Sequence, residues 1–115
     1  MQHRKIAFVG AGNMTRSIIS GLVNNAYPAH MITASNPSTE KLTALQADFD
    51  IKITQDNNEA VNVSDVIVLA VKPQLMEQVC AKLAKETDLT GKLFVSIAAG
   101  ITTARLQQML GGTFA

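Results

Sequence analysis

Short apolar runs alternate along the chain with segments whose hydrophobic residues recur at helical spacing. Ile6-Ala7-Phe8-Val9 is continuous and apolar, the pattern of a strand buried on both faces. Behind it Met14, Ile18 and Leu22, with Ile19 and Val23 beside them, predict a helix that Asn24-Asn25 ends. Met31 to Ala34 reads as a second strand. Asn36-Pro37 then predicts an N-cap followed by proline at the first helical position, with Leu42 and Leu45 as that helix's apolar face. Ile51 and Ile53 flank Lys52 in an alternating third strand, and Asp56 to Val63 reads as a short helix or turn. Asp65 to Val71 is the clearest buried strand. Pro73 opens the next helix, whose Leu75, Met76, Val79, Cys80 and Leu83 form a wide stripe read as core. Leu93 to Ala98 gives a fifth strand, and Thr102 or Thr103 caps a last helix through Leu106, Met109 and Leu110. No repeat, low-complexity stretch or linker precedes Gly111-Gly112. The alternation predicts one α/β domain over residues 1–115, a doubly wound parallel sheet in three layers. Right-handed crossovers leave few topologies open to it.

Composition narrows the partners more than the fold. The 115 residues are 47% apolar and 17% charged, enough to bury a core. Lys and Arg total 10 against 9 for Asp and Glu, and neither sign forms a block. Nothing electrostatic therefore argues for nucleic acid or an anionic membrane as partner. His3-Arg4-Lys5 reads as a solvated approach to the first strand. Cys80 is the single cysteine and falls inside the apolar stripe, which predicts a buried thiol and excludes a disulfide within the chain. That suits a reducing compartment. No apolar run reaches the ~18 residues of a membrane span, and Ile6 to Val9 is too short for a signal peptide. The cytoplasm is the expected location.

The candidate chemistry begins at Gly10-Ala11-Gly12, between the first strand and the first helix. Gly10 allows a sharp turn, and Gly12 lets backbone come close to a pyrophosphate where a Cβ would collide. The helix that follows aims its free N–H groups and positive dipole end at the phosphates. Thr15 occupies the place of the usual third glycine, whose task is close packing; its bulk predicts a first helix standing slightly further from the sheet. Past the second strand the sequence runs Ala34-Ser35-Asn36-Pro37-Ser38-Thr39, with no carboxylate before Glu40. An NAD site places Asp or Glu there to hold the ribose 2′-OH. Hydroxyls, an amide and a helix N-terminus instead suit a 2′-phosphate, with Lys41 in reach. The expected cofactor is NADP(H), with NAD(H) as the alternative because no arginine stands at the site. His3 and His30 precede the first two strands, at the end of the sheet opposite the glycine turn. There are no paired carboxylates, no metal-ligand spacing and no Ser/His/Asp arrangement, so neither a catalytic residue nor a metal is predicted.

Gly10-Ala11-Gly12-Asn13-Met14, Ala70-Val71-Lys72-Pro73-Gln74 and Ser96-Ile97-Ala98-Ala99-Gly100 follow one another in order. In that combination, over essentially its whole length, the chain resembles the amino-terminal domain of the pyrroline-5-carboxylate reductase family, the last enzymes of proline biosynthesis. Thr15 departs from the small residue common in that family. The resemblance implies a Rossmann-type domain in which Val9, Gly10, Ala11, Gly12, Asn13 and Met14 wrap the pyrophosphate. It implies that Ser35, Asn36 and Pro37 surround the adenosine 2′-phosphate and that Asn57 stands near the adenine. Ala70, Val71, Lys72 and Pro73, with Ala98, Ala99 and Gly100, would line the nicotinamide-ribose side. Lys72 reads as a cation for ribose hydroxyls or Glu77 before it reads as a chemical participant.

The reaction implied is hydride transfer from NADPH to the imine carbon of 1-pyrroline-5-carboxylate, giving L-proline. The cofactor carries the chemistry, and the protein orients it. Protonating the imine makes it a better acceptor, so a donor or water near the ring nitrogen would help. Family members continue, through a "MPNTP"-like stretch, into a helical domain that forms the dimer and completes the substrate pocket. This sequence stops at Ala115, short of that stretch. The resemblance thus implies the cofactor half alone, inactive by itself, with homo-oligomerisation left to the absent part. Two other readings use the same fold. The cofactor domain of a 3-hydroxyacid or prephenate dehydrogenase shares the glycine turn and a "VKP"-like segment, though "GNM" and "SIAAG" together count against it. A non-catalytic NAD(P)-sensing module agrees equally well with the lack of an acid/base pair.

Overall fold

The computed structural model describes residues 4–97. Ile6–Val9 forms strand β1, followed by helix α1 at Asn13–Asn24 and, after a 3₁₀ turn at Ala29–Met31, by β2 at Ile32–Ser35. Helix α2 covers Thr39–Phe49, β3 Lys52–Thr54, α3 Asn57–Asn62, β4 Val66–Leu69, α4 Pro73–Glu86 and β5 Leu93–Ser96. The strands make one parallel sheet in the order β3-β2-β1-β4-β5. β1 thus lies between β2 and β4, with Ile6 in register with both Ile32 and Val66. This is the doubly wound α/β fold expected from the alternation of patterns.

The period-2 alternation of the strands feeds two cores. Ala7 and Val9, with Ile67 and Leu69, pack against Ala60 and Val61 of α3 and Met76, Cys80 and Leu83 of α4. Phe8, Ile32, Ala34 and Val68 face the other way, against Ile19 of α1 and Leu42 and Leu45 of α2. Cys80 is fully buried, as its place in the stripe predicts, and burial pushes its thiol up to about 11. Leu75 departs from that prediction: it is exposed near the start of α4 and lines a cleft instead of the core.

Boundaries shift where backbone bonds leave the ladder. Met31 closes the 3₁₀ turn, so β2 starts one residue later than its apolar run. β4 is trimmed at both ends: Asp65 N–H bonds Lys5 O before the ladder begins, and past its end Ala70 N–H bonds Val9 O. Helix α2 begins at Thr39 with Ser38 as its N-cap, not at Pro37 with Asn36 as cap, because the Asn36 side chain is engaged elsewhere. The predicted last helix, with Thr102, Thr103, Leu106, Met109 and Leu110, lies outside the described residues, as does His3. Among the described residues no helix is long and apolar enough to cross a membrane, and no three His, Cys, Asp or Glu side chains cluster as metal ligands.

Candidate dinucleotide cleft

The carboxyl ends of β1, β2 and β4 meet at Gly10. Its φ is +109°, and a Cβ there would lie 2.7 Å from Ala70 O and 2.8 Å from Ala70 C. Only glycine lets β1 turn away beside the end of β4. Gly12 is different: a Cβ on it would meet nothing within 4 Å, so the protein's own packing does not demand a glycine. It leaves room in front of α1. As N-cap, Gly12 also supplies no capping side chain, and no acidic residue stands in the first turn. The amides that open this helix have no intrahelical acceptor, so they remain a concentrated positive end.

Three hydrogen bonds hold the turn, and two more fix Asn36 beside it. Gly10 N–H donates to Ser35 O at 2.8 Å, and Thr15 Oγ1 donates to Gly10 O at 2.8 Å. Ala11 N–H donates to Asn36 Oδ1 at 3.3 Å. Asn36 N–H in turn donates to Thr54 O at 3.3 Å, and its Nδ2 to Ser38 O at 3.1 Å. Asn36 therefore bridges the glycine turn and the start of α2 rather than capping it. Ser35 is fully buried, and its hydroxyl donates to Asn57 Oδ1 at 2.7 Å. This fixes the Asn57 amide at the start of α3, where Asp56 caps the helix by accepting Asn58 N–H. Asn58 turns the other way, donating to Glu86 and accepting from Thr87.

These bonds frame a cleft of about 260 Å³. Gly10, Ala11 and Gly12 form its floor, Asn36, Pro37 and Asn57 one wall, and Ala70, Val71 and Lys72 the other. The cleft thus unites nine of the predicted positions from four segments, one after each of the first four strands. Lys41, Leu75 and Val79 complete the lining, and no carboxylate takes part. An apolar annex of about 240 Å³ continues from it along α4, sharing Pro37, Asn57, Leu75 and Val79.

Other predicted positions stand apart from the lining. Val9 is fully buried within β1, Ser35 lies behind Asn57, and Asn13, Met14 and Pro73 are exposed on the first turns of α1 and α4. Ala98, Ala99 and Gly100 lie outside the described residues. Leu75 and Val79 line the cleft, a placement the helical stripe concealed, although Val79 also packs against the core as its spacing predicts. Their nearness to Pro73 was the available signal. A larger concavity of about 430 Å³, near Lys5, His30 and Lys52, contains none of the predicted site residues. Volume therefore does not single out a site; the smaller cleft is the one that gathers the predicted residues.

A parallel sheet in the order 3-2-1-4-5, with a cleft outside the strand ends where β1 passes between β2 and β4, defines the Rossmann-type class of dinucleotide-binding domain. Residues 5–100 match the family described as "NADP oxidoreductase coenzyme F420-dependent", and the chain belongs to that family. It is 54% identical over 110 residues to the pyrroline-5-carboxylate reductase of Vibrio alginolyticus, an alignment covering 96% of this chain and 40% of that protein. Among solved structures, a pyrroline-5-carboxylate reductase from Coxiella burnetii superposes with a TM-score of 0.90 at 37% identity, covering 96% of this chain and 41% of that one. The Plasmodium falciparum pyrroline carboxylate reductase, solved with NADP bound, gives 0.80 at 27% identity, over 96% and 39%. The chain spans about 40% of the length of the curated relatives it matches.

Proposed function

We propose that the chain is the NADP(H)-binding part of a pyrroline-5-carboxylate reductase, which reduces 1-pyrroline-5-carboxylate to L-proline at the end of proline biosynthesis. The observation that carries this reading is the convergence of the glycine turn, the Asn36-Pro37 corner and the Ala70-Val71-Lys72 segment on one carboxylate-free cleft. The 54% identity to a named pyrroline-5-carboxylate reductase favours imine reduction over a hydroxyacid or prephenate substrate.

The residues fit a nicotinamide dinucleotide. The Gly10–Ala11 peptide and the opening amides of α1 receive the pyrophosphate, with Gly12 giving it room and Asn13 and Met14 flanking it. Asn36, Pro37 and Lys41 form the corner for the adenosine 2′-phosphate, where a carboxylate would repel it. The apolar annex beside Pro37, Leu75 and Val79 suits the adenine ring, and Asn57, held by Ser35, presents its amide at the rim. Ala70, Val71, Lys72 and Pro73 border the nicotinamide ribose. When bound, the coenzyme supplies the hydride. The substrate pocket, the imine's proton donor and the homo-oligomer contacts are assigned to the part of the relatives that this chain does not span. We place the reaction in the cytoplasm, where a reducing medium suits the buried Cys80 thiol.

Titrating NADPH and NADH into the 115-residue chain tests the reading. Micromolar or weaker NADPH binding, tighter than NADH, and no turnover are expected. Absence of NADPH affinity would overturn the cofactor assignment, and proline formation by this chain alone would overturn the division of labour.

A further inference from the structure

Thr15 stands where a dinucleotide-binding turn commonly has a small residue, and it is completely buried as the third residue of α1. A buried hydroxyl is costly unless it is hydrogen-bonded. Helical threonines often return that bond to the carbonyl four residues back. Thr15 does not: its Oγ1 donates to Gly10 O, five residues back and outside the helix, at 2.8 Å.

Gly10 O is one end of a peptide whose other end is Ala11 N–H. In a trans peptide the two point in opposite directions, and the described residues contain no cis bond. With the carbonyl held toward Thr15, the N–H points toward Asn36 Oδ1, on the cleft side. Gly10 has no Cβ and sits at φ +109°, so local sterics restrain rotation of the following peptide less than at any other residue type. Neighbouring bonds do not replace this restraint. Gly10 N–H to Ser35 O belongs to the preceding peptide, and the Asn36 contact, at 3.3 Å, occupies the very face a ligand would use.

We propose that Thr15 is a positioning residue that locks the Gly10–Ala11 peptide with its N–H directed into the cleft. This rests on the reading of the cleft as an NADP(H) site. A phosphate oxygen arriving at Ala11 N–H displaces the Asn36 contact, while the carbonyl end stays tethered from behind. The threonine takes more room than glycine or alanine, and in exchange it holds the donor in place before the ligand arrives.

The test titrates the wild-type chain and the variants T15V and T15S with NADPH and with adenosine 2′-monophosphate, followed by ¹⁵N NMR. The second ligand shares the adenine and 2′-phosphate but lacks the pyrophosphate. T15V keeps the shape and removes the hydroxyl; by letting the peptide leave its competent orientation it should lower NADPH affinity about three- to tenfold, the upper end being set by the worth of one net hydrogen bond. Adenosine 2′-monophosphate should bind T15V as it binds wild type, T15S should match wild type for both ligands, and the Ala11 amide resonance should move in T15V alone. T15V binding NADPH as tightly as wild type would overturn the lock. So would equal losses for the two ligands, which mark a general loosening of the fold. If T15V fails to fold, T15S against T15A, which differ by the hydroxyl alone, gives the same comparison. Failure of the wild type to bind NADPH falls on the cofactor reading, whereas wild-type binding with an unaffected T15V falls on the lock.

Discussion

Gly10 and Gly12 stand two residues apart and are glycine for opposite reasons. At Gly10 a side chain would strike the Ala70 backbone at 2.7 Å in a left-handed conformation, so the fold itself requires glycine. At Gly12 a side chain would enter open space, and only a ligand gives it anything to strike. Gly10→Ala should therefore cost at least about 2 kcal/mol of stability, measured by urea unfolding. Gly12→Ala should stay within about 1 kcal/mol of wild type while lowering NADPH affinity at least about tenfold in a fluorescence titration, because its Cβ takes the pyrophosphate's place. Unfolding by Gly12→Ala, or unchanged NADPH binding, would separate this residue from the role given to it. The motif assigns the turn to Gly10 and the close approach to Gly12; what a side chain at each would meet lies in the surroundings. Thr15 was legible only as bulk; its hydroxyl's partner at Gly10 O depends on how the turn is bent.

The same limit governs the elements. Strand centres are legible because a continuous apolar run such as Ile6 to Val9 has few alternatives to double-sided burial. Their ends are not: Met31 belongs to a 3₁₀ turn, and β4 ends at Leu69 although Ala70 N–H still bonds Val9 O. The start of α2 was misplaced because Asn36 is used by Ala11, 25 residues away, and no local rule sees that bond. Leu75 reads as core because helical spacing cannot show that its end of the stripe lines a cleft. Helix α1 ends in a Schellman arrangement, with Tyr27 N–H bonded to Leu22 O and Ala26 N–H to Val23 O. Ala26 holds the left-handed position at φ 69°, where glycine is favoured. Ala26→Gly should raise stability by about 0.5–1 kcal/mol, the relief of the Cβ contact less the added freedom of the unfolded chain. Thermal unfolding of the variant checks this, and a lowered midpoint would contradict it.

At the scale of the molecule, two cores flank one sheet among the described residues, and Cys80 sits fully buried in the core beneath α3 and α4. Its thiol titrates near 9.0 when free and near 11 when folded. The unfolded chain therefore loses this proton first as pH rises, so the group leaves stability intact below about pH 9 and subtracts from it between 9 and 11. Urea midpoints measured across that range should fall more steeply for wild type than for Cys80→Ala, a variant that starts about 1–2 kcal/mol less stable. Parallel slopes would remove Cys80 from the alkaline transition. The sheet's wiring carries a different consequence. Among the described residues every strand pairing is parallel, so none of these strands can meet through a hairpin. The central strand gains one neighbour from Ile32–Ser35 and the other only from Val66–Leu69. During synthesis a ribosome making about 5–20 residues per second leaves one flank of that strand bare for a few seconds, and in that interval a nascent chain is most open to capture by another polypeptide.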